Sequence, residues 1–379
     1  MAQVTSPAEV PSTEPLPPRE YPALRCSISR AWYPVAVLVG VRLVMWAAIF
    51  LFSHLFHRYV TNPWDGGWYV LAAQHGWPHH VKTGFGNAAQ DTLAFFPGFP
   101  AIIRAVHFVL PISWMHAGEV AAFLTEVAMV IGVWLLAGEL WGRSAADRAV
   151  VVLCLFPGSF ILAMMYSEPL LIAAAAFCFL ALRRRQWVLA GVLASIGTTA
   201  RITGLALVVC CAWEAVTAIR KDREWSALWA PVLAPLGVIA WFLYLWASTG
   251  AKLAWFDTEK YGWAQHTTLM AVPDLVRSVL HTHPADPNQF LPLASTAVAV
   301  ILLAVLLVSR PPAMLSIYSV VVVVLSATAT NPSGVRFRFV LAAFPLVIVV
   351  ARYLKDAAFA LAVSLGTLIM GIMLVITLM

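Results

Sequence analysis

Residues 93–111 read LAFFPGFPAIIRAVHFVLP, and whether that stretch crosses a membrane decides the topology of all that follows. It is apolar enough to approach the ~20 residues that span a bilayer. The charges elsewhere in the chain argue against a crossing. Lys and Arg cluster in WGRSAADR (141–148), RRRQ (183–186), RKDRE (220–224), at Arg310 and in RYLKD (352–356). Were 93–111 a span, every one of these segments would fall outside, against the preference of Lys and Arg for cytoplasmic loops. If it lies along the outer surface or re-enters, all of them fall inside. Pro97, Gly98 and Pro100 at its start, then Arg104 and His107, also suit an interfacial helix. The sequence therefore predicts an outer juxtamembrane helix there.

Composition sets the class. Of 379 residues, 61% are hydrophobic and 11% charged, where a soluble domain carries about 25% charged residues. The mean hydropathy of +0.83 agrees. Apolar runs recur from residue 34 to the end with no β-barrel alternation, so the fold expected is all-α and polytopic. Spans are predicted at 34–56, 118–140, 149–166, 168–183, 187–200, 204–219, 228–248, 290–309, 313–330, 338–351 and 357–378. These make about eleven transmembrane helices, with the amino end inside and the carboxyl end outside. Residues 1–31, rich in Pro, Ser, Thr and Glu, read as a disordered cytoplasmic tail held inside by Arg19, Arg25 and Arg30. Residues 32–379 form one transmembrane domain, with 57–117 as the first outer loop and 249–289 as the second. The net charge of +6 is mostly loop Lys and Arg, which orients the chain and does not imply nucleic acid. The five cysteines give no readable disulfide framework. Arg42, about two turns inside the first helix, is expected to snorkel back to the cytoplasmic headgroups.

With that topology a set of charges collects outside. Asp65 lies in Thr61-Asn-Pro-Trp-Asp-Gly-Gly-Trp-Tyr69, flanked by Trp64 and Trp68, whose indoles suit a membrane interface or a sugar face. Tyr166-Ser167-Glu168 follows the third span, Arg201 the fifth, and Arg336 and Arg338 sit in a late turn. Lys260, Tyr261, Trp263 and His266 lie in the second loop. Charge at such breaks is costly unless it faces a cavity or a partner. Two carboxylates, Asp65 and Glu168, with Arg201, Lys260, Arg336 and Arg338 look like a site for a phosphate-bearing lipid and a hydroxylic acceptor. Glu168 ahead of Pro169 is also what a helix dipole favours at an N-terminus, and Arg201 could cap a helix or hold a lipid headgroup. Tyr166 is expected at the pocket rim. His75, His79 and His80 have no carboxylate at ligand spacing and read as solvated loop histidines. The second class of function considered is a lipid-linked sugar flippase, which predicts charge at mid-span and paired broken helices. Only Glu126 counts for it, because Glu139 and Glu214 lie near inner helix ends.

WDGGWYVLAAQHGW (64–77), FFPGFP (95–100), LFPGSFILAMMYSEPLL (155–171), ARITG (200–204) and the Asn-Pro-x-x-x-Arg-Phe-Arg-Phe turn (331–339) together resemble the PIG-V type mannosyltransferases and their bacterial relatives. More broadly the chain resembles a GT-C glycosyltransferase. The resemblance implies a polyprenyl-phosphate mannose donor, a glycolipid or glycan acceptor and an active site outside a bacterial plasma membrane. It places Asp65 at the position of the catalytic base, Glu168 at the second acidic position, also expected to be catalytic, and Arg201 at the arginine of the ARxxG turn. Arg336, Arg338, Lys260, Tyr166, His266, Trp64 and Trp68 complete the expected substrate-binding set. No cofactor is expected; a divalent metal could serve, but cationic side chains can take its role. The expected partners are the lipid-linked donor, the acceptor and membrane lipids, with no nucleic acid.

Overall fold

The computed structural model describes residues 30–56, 65–82, 84–281, 287–330 and 337–378. The tail up to residue 29, Trp64 and Arg336 lie outside the described residues.

The helices are α1 (Trp32–Phe56), α2 (Asp65–His75), α3 (Gly98–Val109), α4 (Trp114–Trp141), α5 (Arg143–Cys154), α6 (Glu168–Arg183), α7 (Trp187–Ala200), α8 (Leu205–Asp222), α9 (Trp229–Leu233), α10 (Leu236–Thr249), α11 (Ala254–Gly262), α12 (Ala271–His281), α13 (Pro287–Val308), α14 (Ala313–Ala327), α15 (Phe337–Ala342), α16 (Phe344–Tyr353) and α17 (Asp356–Leu378). Six of these segments, Trp32–Leu55, Trp114–Trp141, Ile202–Asp222, Trp225–Thr249, Phe290–Val308 and Asp356–Ile376, are long and apolar enough to cross a membrane. The protein is an integral membrane protein. The remaining predicted spans are helical but short, or interrupted.

Position in the bundle follows from composition. The alanine run Ala173–Ala176 lets neighbours approach α6 closely, and α4 and α7 pack on it until nearly all of it is buried. On α1 and α17, large apolar side chains such as Phe50, Leu51, Leu361 and Leu368 stay exposed, as lipid-facing helices require. Helix α3 has 12 residues, roughly 18 Å at 1.5 Å per residue, too short to cross. It lies against α2 and α4 with Phe108 and Val109 exposed. The stretch 93–111 thus forms no helix long enough to cross a membrane.

Three local expectations are corrected. The stretch 141–148 is no loop: α5 begins at Arg143, whose side chain pairs with Asp147 one turn on at 2.8 Å. The predicted span 149–166 breaks after Cys154, where Pro157 opens a 3-10 turn, Pro157–Ala163, bent by 75°. Proline lacks the N–H that would continue the ladder. The predicted span 338–351 likewise divides at Ala343, between α15 and α16, just ahead of Pro345. These two interruptions meet, the 3-10 turn packing on α15, where the sequence reading expected no pair of broken helices.

A fourth correction concerns Arg42, which is buried at 8% exposure and holds Glu126, itself 0% exposed, at 2.5 Å. Its guanidinium lies between the rings of Trp46 and Phe123. The partner on α4 removes the need to reach the headgroups. Breaking a buried pair from one side costs about 3–5 kcal/mol, whereas replacing both partners by apolar groups is often neutral. Arg42→Met is expected to lower the unfolding temperature in detergent, and Arg42→Met with Glu126→Leu to recover most of the loss. An Arg42→Met protein as stable as the parent would show that the pair contributes nothing.

The two ends of the bundle differ. At one end Arg183 and Arg184 hold Glu139 at 2.7 and 3.0 Å. There Arg185 bridges Asp222 and Glu224, Arg148 donates to the Ala351 carbonyl, and Tyr353 donates to Ser309. Every basic loop used in the topology argument is at this end. The opposite end gathers Asp65, Ser167, Glu168, Arg201 and Arg338.

Candidate active site

Helix ends place the charges. Asp65 opens α2 and Glu168 opens α6, where the helix dipole favours an anion. Arg201 caps the C-terminus of α7, where a cation is favoured. Because α6 and α7 are antiparallel neighbours of 16 and 14 residues, the start of one meets the end of the other. Arg201 Nη1 thus comes to 2.6 Å from Glu168 Oε1. Glu139 on α4 aligns with Arg183 on α6 at the basic end. Counting from that level, α6 stops roughly 15 Å short of the far end of α4, so Glu168 lies sunk within the bundle.

Arg338 joins the two carboxylates. Its Nη1 donates to Asp65 Oδ2 at 2.6 Å, and its Nε lies 3.9 Å from Glu168 Oε1. The guanidinium is clasped by the rings of Tyr166 and Phe339 at 5.3 and 5.0 Å. Arg338 reaches this place because Gly158 lets α15 come close: a Cβ on Gly158 would stand 2.2 Å from the Phe337 carbonyl oxygen and 3.1 Å from Arg338 N. Gly158→Ala must therefore push the Phe337–Arg338 backbone away. A displacement of about 1 Å at such a site can cost about 10²-fold in rate. If the site is catalytic, turnover of the variant is expected to fall at least tenfold with the protein still folded; parental turnover would show that this approach does not position Arg338.

These groups face a cavity of about 340 Å³, lined among others by Asp65, Tyr69, Arg201, Glu259, Arg338 and Phe339. That volume is within the range of small-molecule sites, roughly 300–1,000 Å³. Its aromatic wall is Phe95 and Trp263, packed edge-on at 5.6 Å. Opposite, the Tyr69 hydroxyl lies 2.7 Å from Ser167 Oγ, and burial raises its pKa so that it stays protonated. Glu168, at 0% exposure, does not line the cavity. It stands behind the two arginines, and neither of its oxygens has an aligned hydrogen bond among the described residues. Its hold on Arg201 and Arg338 is electrostatic.

Compared by sequence, neither a family model nor any curated protein matches the chain. By structure it is similar to ArnT from Cupriavidus metallidurans bound to undecaprenyl phosphate, with TM-score 0.54 and 16% identity over 86% of this chain. The apo state of the same ArnT aligns at TM-score 0.53, with 16% identity over 84% of this chain. The chain has the GT-C fold. This chain matches 62% and 59% of the two ArnT chains, so it spans about three fifths of their length.

Within the GT-C fold, the residues singled out from the sequence divide. Asp65, Glu168, Arg201 and Arg338 come together. Tyr166 is 2% exposed and lies beneath Arg338 and not at the rim, its hydroxyl accepting from the Asp65 backbone N–H. Trp68 is absent from the lining; it stacks behind Phe95 at 6.0 Å and meets Trp263 edge-on. Lys260 does not converge on the cavity: it is exposed, its Nζ 5.0 Å from the Tyr261 ring. His266 is exposed and pairs with Thr330, Nδ1 to Oγ1 at 3.1 Å, beside the Thr267–Ala329 bridge that fastens the second loop to the end of α14. His79 and His80 are exposed, as solvated loop histidines should be. Among the described residues no group of three His, Cys, Asp or Glu side chains could hold a metal ion.

Glu259 is the lining residue that the sequence reading passed over. A signal for it existed. In AWFDTEKYGW, Trp255, Glu259 and Trp263 recur every four residues, so a helix puts them on one face and turns Lys260 away. All three line the cavity. The face is aimed by contacts to the first loop: Trp255 Nε1 donates to the Ala94 carbonyl at 3.0 Å, and Gly262 passes the Ala89 backbone where a Cβ would meet its oxygen at 2.9 Å.

Proposed function

We propose that the chain is a membrane glycosyltransferase that moves a mannosyl residue from a polyprenyl-phosphate donor to a hydroxyl of a glycolipid or glycan acceptor. The single observation that supports this best is the arrangement around Arg338. One cavity in a GT-C fold joins a carboxylate able to take a proton, Asp65, with two guanidiniums able to hold a phosphate. ArnT bound to undecaprenyl phosphate supports the lipid class of the donor, and the PIG-V resemblance of the sequence supports the sugar. The site lies at the end opposite the basic loops, which puts it on the outer side of a bacterial plasma membrane if Lys and Arg face the cytoplasm.

In the reaction proposed, the acceptor oxygen attacks the anomeric carbon in line and its proton passes to Asp65. The bond from that carbon to the phosphate oxygen breaks, and polyprenyl phosphate leaves with the electron pair, with inversion at the sugar. Arg338 and Arg201 stabilise the charge that develops on the departing phosphate, a task for preorganised cations in a site shielded from water. Glu168 serves as the counter-ion that keeps both guanidiniums in place. No described residue is needed as a cofactor ligand.

The flippase alternative loses its main support, because Glu126 is occupied by Arg42, although the two meeting broken helices are a feature it would use. The experiment that separates the readings is incubation of purified protein with radiolabelled polyprenyl-phosphate mannose and a membrane glycolipid extract. Free polyprenyl phosphate together with a labelled glycolipid is expected. Labelled donor moved across vesicles without cleavage would support transport, and transfer only from another polyprenyl-phosphate sugar would change the sugar assigned.

A further inference from the structure

The charges that face the cavity do not balance in favour of an anionic donor. Among the described residues that line or back it, two guanidiniums, Arg201 and Arg338, meet three carboxylates, Asp65, Glu168 and Glu259. Arg201 is already held by Glu168 and Arg338 by Asp65, each at 2.6 Å. With all five ionised the site is negative by one charge, and a sugar phosphodiester would add another. We propose that Glu259 is a donor-binding residue that must carry a proton for the phosphodiester to enter, so that donor binding is coupled to proton uptake at this side chain.

Geometry gives Glu259 that part. It projects from α11 into the same cavity as Asp65, between Trp255 and Trp263, half-buried against the first loop. Protonated, it is neutral and can donate a hydrogen bond to a phosphate or sugar oxygen; ionised, it competes with the phosphate for Arg201 and Arg338. Burial, and after it the Asp65 charge, push its carboxyl up to about 8, with Arg201 and Arg338 pulling the other way. The charged groups on its own helix are Asp257 and Lys260. The loop packed against α11 adds Lys82 and Asp91, which pair with each other at 3.3 Å. From α2 it faces Asp65, from the end of α7 Arg201 and from α15 Arg338.

The sign follows from the raised value. Glu259 is protonated below about 8, so donor affinity should be level through neutral pH and fall as pH rises past that point, approaching tenfold per unit. The inference rests on the proposed function, and the probe is chosen to keep the two apart. Polyprenyl-phosphate mannose, a phosphodiester whose own charge does not change over this range, is titrated onto the purified protein between pH 6.5 and 9.5. Dissociation constants are measured for the parent and for Glu259→Gln, with thermal unfolding followed at each pH.

The parent is expected to lose about tenfold or more in affinity by pH 9.5. Glu259→Gln, which is neutral at every pH, should show a level profile from 6.5 to 9.5 whatever its absolute affinity. A parallel decline in both proteins, or a level profile in the parent, overturns the coupling while leaving the transferase reading intact. Failure of a folded parent to bind the donor at any pH overturns that reading and the coupling with it. If Glu259→Gln does not fold, proton uptake on binding settles the matter: near pH 8 the parent's binding heat should vary with buffer ionisation enthalpy, and no variation overturns the coupling.

Discussion

Asp65→Asn should abolish most sugar transfer, lowering the rate by about 10²–10⁴, the contribution of a positioned general base. The protein should remain folded, because Asn can still accept the 2.6 Å hydrogen bond from Arg338 Nη1. What the substitution removes is the site that takes the proton. Donor binding should persist, and even improve, since Arg338 would no longer be neutralised by an aspartate. The discriminating measurement is therefore turnover under saturating donor beside a donor-binding isotherm in the same preparation. Near-parental turnover would rule Asp65 out as the base and leave Glu259 as the cavity carboxylate to test.

Glu168→Gln is expected to act differently, through stability first. Its carboxylate is wholly buried and faces Arg201 at 2.6 Å and Arg338 at 3.9 Å. A neutral amide leaves Arg201 in a bundle interior without its counter-charge, and unpairing a buried ion costs about 3–5 kcal/mol. The unfolding temperature in detergent should drop clearly, with turnover lost as well. Glu168→Gln with Arg201→Gln should regain much of the stability and none of the turnover. Were Glu168 to touch the reacting sugar, the single variant would lose turnover at parental stability. That outcome would overturn its placement behind the arginines and restore it to the catalytic role suggested by the sequence.

These two residues show how far the sequence could be read. Asp65 between tryptophans and Glu168 before a proline stood out because ionisable groups among apolar runs are rare and must face something. Their convergence was legible too, since the placement of Lys and Arg sorted both to one end of the bundle. The difference in their tasks was not legible. It depends on α6 ending well short of α4, and no local pattern records the relative depth of two helices.

Arg42 and Lys260 mark the same limit from the other side. Arg42, about two turns inside its helix, is compatible with snorkelling until a partner is known, and Glu126 lies 84 residues further on. Lys260 has the right charge in the right loop, but the helical phase of α11 points it outward and brings in Glu259. Gly158 is the clearest case: its motif marked it, but the reason for a glycine is a backbone from far along the chain passing within contact distance.

By itself the sequence determined the all-helical membrane class, that 93–111 does not form a membrane-spanning helix, and the end of the bundle at which the acidic and basic groups gather. Those follow from one-dimensional quantities, the length of apolar runs and the placement of Lys and Arg, because a bilayer imposes a thickness and an orientation on any chain that crosses it. Only the tertiary structure decided which carboxylate faces the cavity, which arginine bridges the pair and which side chain of the second loop enters. Those depend on helix phase, relative depth and the close passage of two backbones, which arise from contacts between distant segments and leave no trace in local spacing.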